Sequence, residues 1–397
     1  MLFSEVVGLQ HVKNKLVDLV QNNRLSHALL FLGRDGSGAL PLALAFAQYI
    51  VCEKVQRAGQ EAGPSLFGGE PDVAPVRMDA CGRCSACLKA SGYAHPDIHY
   101  SYPAIPKKPG DKPVSTDYIT EWRAFLEHNP YGNAYEWLQY LGAENKQGNI
   151  TAEECNAILH KLSLKSFESG YKMLVVWMPE YLNKEGNKLL KLIEEPPADT
   201  LFILVAENAD AVLPTILSRC QLVKIPRPES HEIESALVGK GIDGQKAALA
   251  AGVSDGNFRE ALSLAKEESS NDWQALLREW LNALLKGGPT AQVRWIDTIS
   301  KEGREQQKQF LQYFTHLLEQ SIRIRILGTA FSIAGSEKDF AERLNKIADL
   351  PQQEAMAQEL GKAAYYVERN ANPKMLFHAL TIKLSHIIKD KVLILPD

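Results

Sequence analysis

The stretch HALLFLGRDGSGALPLALAFAQYIVC, His27–Cys52, decides the fold. Its first six residues are a short apolar run with a polar segment before it and Gly33 after it, which predicts a buried strand. Gly33-Arg34-Asp35-Gly36-Ser37-Gly38 is a Gly-rich loop. Ala39 to Cys52 is rich in Ala and Leu, with Pro41 in the first turn of the predicted helix, where a missing N–H does no harm. Strand, glycine loop and helix in that order form a cradle whose backbone N–H groups hold phosphates. That cradle needs Lys and then Ser or Thr after its last Gly. Gly33 and Gly38 are correctly spaced, but Ala39 and Leu40 stand in the two reactive places. Taken alone, the loop reads as a plain strand-to-helix turn.

Working outward, His11 to Val20 carries Val12, Leu16, Leu19 and Val20 at close to helical spacing. Residues 53–80 hold four Gly and three Pro with little periodicity and are expected to form a surface excursion. A second insert-like stretch runs from Tyr100 to about Asn149 and opens with Pro103, Pro106, Pro109 and Pro113. Thr151 and Glu154 then predict a capping box, with Cys155, Ile158, Leu159 and Leu162 on one face of the following helix. Leu174–Trp177 and Leu201–Ala206 read as strands, and Leu182 to Glu194 as the helix between them, stopped by Pro196-Pro197. Gln221–Ile225 is a last strand before Pro226-Arg227-Pro228. This alternation predicts a parallel sheet covered on both faces. Beyond Pro228 the patterns are helical, as in Trp273–Leu285, Gln307–Leu327 and Met375–Ile387, so a boundary is expected near 226–229.

At roughly 150 residues per domain, 397 residues make two or three domains. With 45% hydrophobic and 23% charged residues the chain is an ordinary globular one, which excludes disorder or collagen-like sequence as its main feature. Its 44 basic and 48 acidic residues give a net charge of -4, which excludes a wholly basic nucleic-acid coat but not a local basic surface. No apolar run approaches the ~18 residues of a bilayer span, and Met-Leu-Phe-Ser-Glu is not a signal-peptide start. A cytoplasmic protein without a membrane partner is expected.

Cys81-x2-Cys84-x2-Cys87 packs three thiols into seven residues, a spacing that points to metal rather than to a disulfide framework. A zinc deaminase would need an H-x-E motif upstream and Pro before the first Cys; no such motif is present, and Ala80 precedes Cys81. Cys155 and Cys220 read as buried thiols. Nine aromatics lie between Tyr100 and Tyr140, with Lys107, Lys108 and Lys112 beside them. They could stack single-stranded bases or contact a partner protein, but packing is the reading preferred, because Glu121, Glu127 and Glu136 dilute any positive field.

Five further blocks carry a resemblance: RLSHALLFLG (24–33), the cysteine cluster with His95-Pro96-Asp97, NKLLKLIEEPP (187–197), PTILSRC (214–220) and GNFREALSLA (256–265). In this order they resemble the bacterial clamp-loader subunits of the AAA+ class, and within them the delta prime type of DNA polymerase III. The likeness covers residues 1 to about 270; further on, ERNANPKMLF (368–377) is the best local match.

The resemblance implies an AAA+-like α/β core over 1–226, holding a zinc module (about 52–87) and the insert (about 100–149). An all-α lid (227–268) and an all-α collar domain for oligomerisation (269–397) would follow. ATPase members carry an Asp-Glu pair after the second strand, where this chain has Trp177-Met178-Pro179-Glu180. With Ala39 and Leu40 in the loop, ATP is expected at partner subunits and not here. Ser218-Arg219-Cys220 matches the place where such subunits expose an arginine at their boundary. Arg219, supported by Ser218, would act in trans as an arginine finger on a neighbour's γ-phosphate. On residues alone, the cap of a helix C-terminus is the preferred reading of Arg219, and the finger is preferred only within the whole set of matching blocks. Arg259 is expected to make a lid-to-core ion pair.

The family places a fourth zinc ligand at Cys52, although 28 residues separate it from Cys81 here; His95 is the alternative. Four thiolates suit a structural zinc with no open position. The implied partners are gamma/tau-type ATPase subunits and a delta subunit in a heteropentamer, a sliding clamp, and primer-template DNA met through the assembly. The chain would be a component of the DNA polymerase III holoenzyme without catalysis of its own. Two alternatives stand beside this: an ATP-hydrolysing loader subunit, and a free-standing zinc-stabilised nucleic-acid binder.

Overall fold

A computed structural model describes residues 1–57, 77–108, 110–142, 148–266, 273–327, 335–368 and 371–391. Most of the 53–80 excursion, parts of the insert, the 268/269 boundary and the start of the 368–377 block lie outside them. The chain divides into two units, Met1–Ala251 with Gly256–Ser263, and Gly252–Asp255 with Leu264–Asp397.

The first unit runs α1 (Gln10–Gln21), β1 (Ala28–Leu32), α2 (Ala39–Val51), α3 (Glu53–Gln56), α4 (Ser85–Ser91), β2 (Ile98–Ser101), α5 (Ile119–His128), α6 (Ala134–Tyr140) and α7 (Ala152–Ser163). It continues through β3 (Lys172–Trp177), α8 (Leu190–Glu194), β4 (Thr200–Ala206), α9 (Pro214–Leu217) and β5 (Gln221–Lys224) to α10 (Ser230–Gly239), α11 (Gly244–Val253) and α12 (Phe258–Lys266). Among the described residues the five strands form one parallel sheet in the order β2-β3-β4-β1-β5. Leu30 of β1 lies opposite Leu204 on one side and Leu222 on the other.

Side chains alternate between the two faces of a strand. Leu29, Phe31, Val175, Trp177, Ile203 and Val205 therefore join α2 in one core, while Leu30, Leu174, Val176, Phe202 and Leu204 join α7 in another. Both faces are covered, as a parallel sheet requires. Every residue of α2 is buried, so the Ala- and Leu-rich composition of that helix is a packing requirement.

The structure departs from expectation in local ways. Ile98–Ser101 is an edge strand, so the insert begins after it and not at Tyr100. Two N–H···O bonds of 3.0 Å between Ala104 and Asn149 close its neck. The predicted helix Leu182–Glu194 is instead a 3-10 segment, Pro179–Leu189, followed by the short α8, because Asn183 takes a non-helical φ of 47°. Only half of the capping box forms. The Thr151 hydroxyl accepts from Glu154 N at 3.1 Å, but the Glu154 carboxylate turns to the Ser115 N–H at 2.7 Å.

Most of the insert's aromatics are core residues, Tyr135 and Tyr140 being the exposed ones. Trp122 and Trp137 are fully buried, and the Trp122 ring lies 4.1 Å from Tyr102 and 5.1 Å from Trp177 on β3. Trp137 Nε1 donates to the Pro103 carbonyl at 2.7 Å. Trp122→Ala is therefore expected to cost roughly 3–5 kcal/mol in urea unfolding. Tyr135→Ala, on an exposed site of α6, should stay within about 0.5 kcal/mol of the native value.

The second unit contains α13 (Trp273–Asn282), α14 (Gly288–Ile299), α15 (Arg304–Leu327), α16 (Gly335–Ile347), α17 (Leu350–Glu368) and α18 (Pro373–Ser385). Trp280 and Trp295 stack at 4.4 Å in its core, beside Phe310 and Phe377. The Asn372 side chain caps α18 by accepting from Met375 N at 3.2 Å. Among the described residues no helix is long and apolar enough to cross a membrane.

Candidate functional site

The glycine loop leaves β1 at the carboxyl ends of the strands, where open parallel sheets bind ligands. Gly36 and Gly38 have φ of +71° and +89°, conformations that suit glycine. A Cβ on Gly36 would lie 1.7 Å from Asn257 Oδ1, and Phe258 N donates to the Gly36 carbonyl at 3.1 Å. The loop thus keeps the glycines of a phosphate cradle and is packed against the start of α12.

The space above it is nearly filled. Gly36, Gly38, Tyr131, Trp177, Met178 and Glu207 line a cavity of about 20 Å³, room for about one water. Tyr131 comes from the turn between α5 and α6. Its ring sits 3.3 Å from the position of a Cβ on Gly38, 4.7 Å from Phe258, and its hydroxyl accepts from Val7 N at 2.9 Å.

Arg259, at the start of α12, reaches the loop, as the sequence leads one to expect. Its Nη2 lies 2.9 Å from Asp35 Oδ2, and its Nη1 lies 3.1 Å from Glu136 Oε1 on α6. Asn133 Nδ2 also reaches Asp35, at 3.4 Å. Despite burial, Asp35 and Glu136 hold the guanidinium even more firmly charged than usual. Sequence reading missed Tyr131, Asp35 and Glu136. The one available signal was Asn133-x-x-Glu136, a helix-start pattern realised as a capping box on α6.

Trp177 and Met178 are buried and offer no metal-ligating oxygen. Glu180 is tied down, its Oε1 accepting from Glu207 N at 2.7 Å and Asn208 N at 3.0 Å. Burial, with Asp35 and Glu180 nearby, pushes the Glu207 carboxyl up to about 8. The folded chain then binds a proton there that the unfolded chain, with a pKa near the ordinary 4.5, releases. This disfavours the fold progressively as pH rises from about 4.5 to 8. Glu207→Gln should therefore raise Tm at pH 8, by the equivalent of about 1 kcal/mol or more, and leave it unchanged at pH 4. Thermal melts at the two pH values check this.

The four cysteines Cys52, Cys81, Cys84 and Cys87 come together, with every Sγ within 4.8 Å of the others. Cys52 ends α2, Cys84 caps the N-terminus of α4 and Cys87 lies in its first turn. Cys81 and Cys87 Sγ are 3.9 Å apart, close to the ~3.8 Å expected around a tetrahedral ion with metal–sulfur bonds of ~2.3 Å. Burial pushes the Cys52 and Cys87 thiols up. Cys81 is drawn down against its burial to about 6, by the N–H groups of Arg83 and Cys84. The donor set fits a metal ion that leaves no position open. His95 stands outside it, its Nδ1 accepting from Asp97 N at 3.2 Å.

Arg219 follows Ser218, the C-cap of α9. Its Nη1 donates to the Thr215 carbonyl at 2.8 Å and to Ser218 Oγ at 3.2 Å, and its guanidinium pairs with Glu194. In the single chain it is thus a helix-end cap with a carboxylate partner, and about a third of its side chain is exposed.

A parallel sheet with a glycine loop at its carboxyl edge, Ala39 and Leu40 directly after the loop's last glycine, and a four-cysteine cluster are the features that mark this chain. The family model described as DNA polymerase III, delta subunit, matches residues 8–229, and the chain belongs to that family. The resemblance to delta prime-type clamp-loader subunits read from the sequence is borne out. DNA polymerase III subunit delta' of Bacillus subtilis is 25% identical over 258 residues, 65% of this chain and 59% of that protein. Subunit delta' of Escherichia coli is 26% identical over 306 residues, 72% of each chain. Subunit tau of Bacillus subtilis is 26% identical, over 75% of this chain and 43% of that protein. The chain therefore spans less than two thirds of the length of the two Bacillus relatives. Among solved structures, a gamma subunit-related protein of Thermotoga maritima is similar at 16% identity and a TM-score of 0.37, over 93% of this chain and 98% of that one, a likeness too loose to carry an argument.

Proposed function

We propose that this chain is the non-ATPase, delta prime-like subunit of a bacterial replicative clamp loader. It stands in a heteropentameric ring with gamma/tau-type ATPase subunits and a delta subunit, and gives Arg219 to the nucleotide site of a neighbour. The ring uses hydrolysis at the neighbours' sites to open a sliding clamp and place it on primer-template DNA. Residues 227–268 serve as lid and 269–397 as collar, and a structural zinc sits in the four-cysteine cluster.

The observation that carries the reading is the state of the glycine cradle. It lacks Lys and Ser or Thr at Ala39 and Leu40, faces Trp177 and Met178 where a metal-binding pair is needed, and leaves about 20 Å³. A triphosphate needs far more room than the single water this space admits. The reading of the chain as an ATPase in its own right is accordingly not favoured. The insert's buried Trp122 and Trp137 likewise disfavour a free-standing single-strand binder, which needs exposed stacking platforms. The test is the DNA-stimulated ATPase rate of the reconstituted loader, with the native chain against Arg219→Ala.

A further inference from the structure

The proposed role accounts for a cradle that takes no nucleotide, but not for the side chains that pack over it. Two elements far apart in sequence, the turn between α5 and α6 and the start of α12, converge over the loop at Asp35. The turn is built for its place. Gly132 is needed there because a Cβ would lie 2.5 Å from Phe125 Cζ and 2.8 Å from Asn129 Nδ2. Glu136 accepts from Asn129 Nδ2 at 2.9 Å through one carboxylate oxygen and binds Arg259 with the other. The turn therefore presents a fixed aromatic ring, Tyr131, to the space where a cradle of this kind holds phosphates, at the N-terminus of α2, and a fixed carboxylate, Glu136, to Arg259.

We propose that residues 129–136 are a resident occupant of the cleft. Tyr131 fills it, and Asp35 with Glu136 supply the negative charge that the buried Arg259 needs, so that α12 is held on the core without nucleotide. The inference rests on the reading of Gly33–Leu40 as a nucleotide cradle that has lost its chemistry. Its parts are mutually dependent. Arg259 is nearly buried, with 13% of its side chain exposed, and a buried guanidinium needs its partners. Phe258 needs the Tyr131 ring to complete its packing, since only 1% of it is exposed. Excluding nucleotide and fixing α12 are then one structural act, performed by a segment that the glycine-loop motif does not include.

The experiment uses hydrogen exchange on the full chain, comparing native protein with Tyr131→Ala and Asp35→Asn. In both variants the amides of residues 258–263 should exchange at least tenfold faster, while those of β1 and β4 keep their native rates. The strand amides serve as the control for global folding. Unchanged exchange in α12 of both variants overturns the inference, and so does an equal acceleration throughout the sheet. Titration with Mg-ATP separates this from the reading beneath it. Saturable binding by the native chain sinks the non-nucleotide reading itself. With the native chain silent, Ala39→Lys combined with Leu40→Thr should bind no ATP while Tyr131 is present, and should bind once Tyr131→Ala is added. Equal binding with and without Tyr131 removes it as the occupant.

Discussion

A loader assembled with Arg219→Ala in this chain should lose on the order of 10³-fold in turnover at the one site that Arg219 completes, the scale of an arginine finger's contribution. The whole assembly should lose at least that site's share of its DNA-stimulated rate while keeping its size by sizing chromatography. In the single chain the guanidinium rests between Glu194, the Thr215 carbonyl and Ser218 Oγ. Glu194 and Arg219 are both substantially exposed, and exposed ion pairs contribute at most ~1 kcal/mol. A γ-phosphate bearing more charge and a better geometric match for the fork can take the guanidinium from Glu194 at little cost. Two companion variants sharpen the prediction. Arg219→Lys keeps the charge but loses the planar fork and should recover little of the rate. Glu194→Gln removes only the resting partner and should change the rate by no more than about fivefold, the equivalent of ~1 kcal/mol. A native rate in the Arg219→Ala loader would leave the residue as the helix-end cap seen in the single chain.

The layout of the sheet was legible because parallel strands buried on both faces must be apolar throughout, and β1, β3 and β4 announce themselves that way. β2 was not legible. Its four residues, Ile-His-Tyr-Ser, hold one aliphatic side chain, and an edge strand with Tyr100 turned inward has too short a pattern to separate from a loop. The break at Asn183 was hidden for another reason. The spacing of Leu182, Leu189 and Ile193 satisfies a helix, and nothing in a local pattern reveals a single residue at φ 47°. At the candidate site, the loss of lysine and hydroxyl could be read directly, and so could the three clustered cysteines. The fourth, Cys52, became legible only through the family resemblance, since 28 residues separate it from the rest. What occupies the cradle could not be read at all. Tyr131 reaches it across nearly a hundred residues of chain while Glu136 holds Arg259 beside it, and their roles follow from the turn at Gly132 and from Arg259, contacts that no sequence period encodes.

Removing the metal should produce the other large effect, and it should be local before it is global. The purified chain is expected to carry one equivalent of zinc by elemental analysis. Chelation or Cys87→Ser should lower Tm by about 10 °C, on the scale of ~2–4 °C per kcal/mol for a unit of this size. The reason lies in where the ligands sit. Three of them surround the start of a seven-residue helix, α4, which is too short to persist alone. The fourth ends α2, whose thirteen residues are all buried against the sheet. Binding energy at such a site is folding energy for the segment it organises. Without the ion, four thiols are left crowded within 4.8 Å of one another, with Cys81 drawn toward ionisation and Cys52 and Cys87 held back by burial. Hydrogen exchange should therefore accelerate first over residues 81–91 and the last turn of α2, with β4 unaffected until the main transition. Cys220→Ala, outside the cluster and only partly buried, should keep both the zinc content and the response to chelator. A chain that purifies without metal, or one whose melting is indifferent to chelator and to Cys87→Ser, would make the four cysteines a packing feature of the α2–α4 junction and remove the ion from the account of this fold.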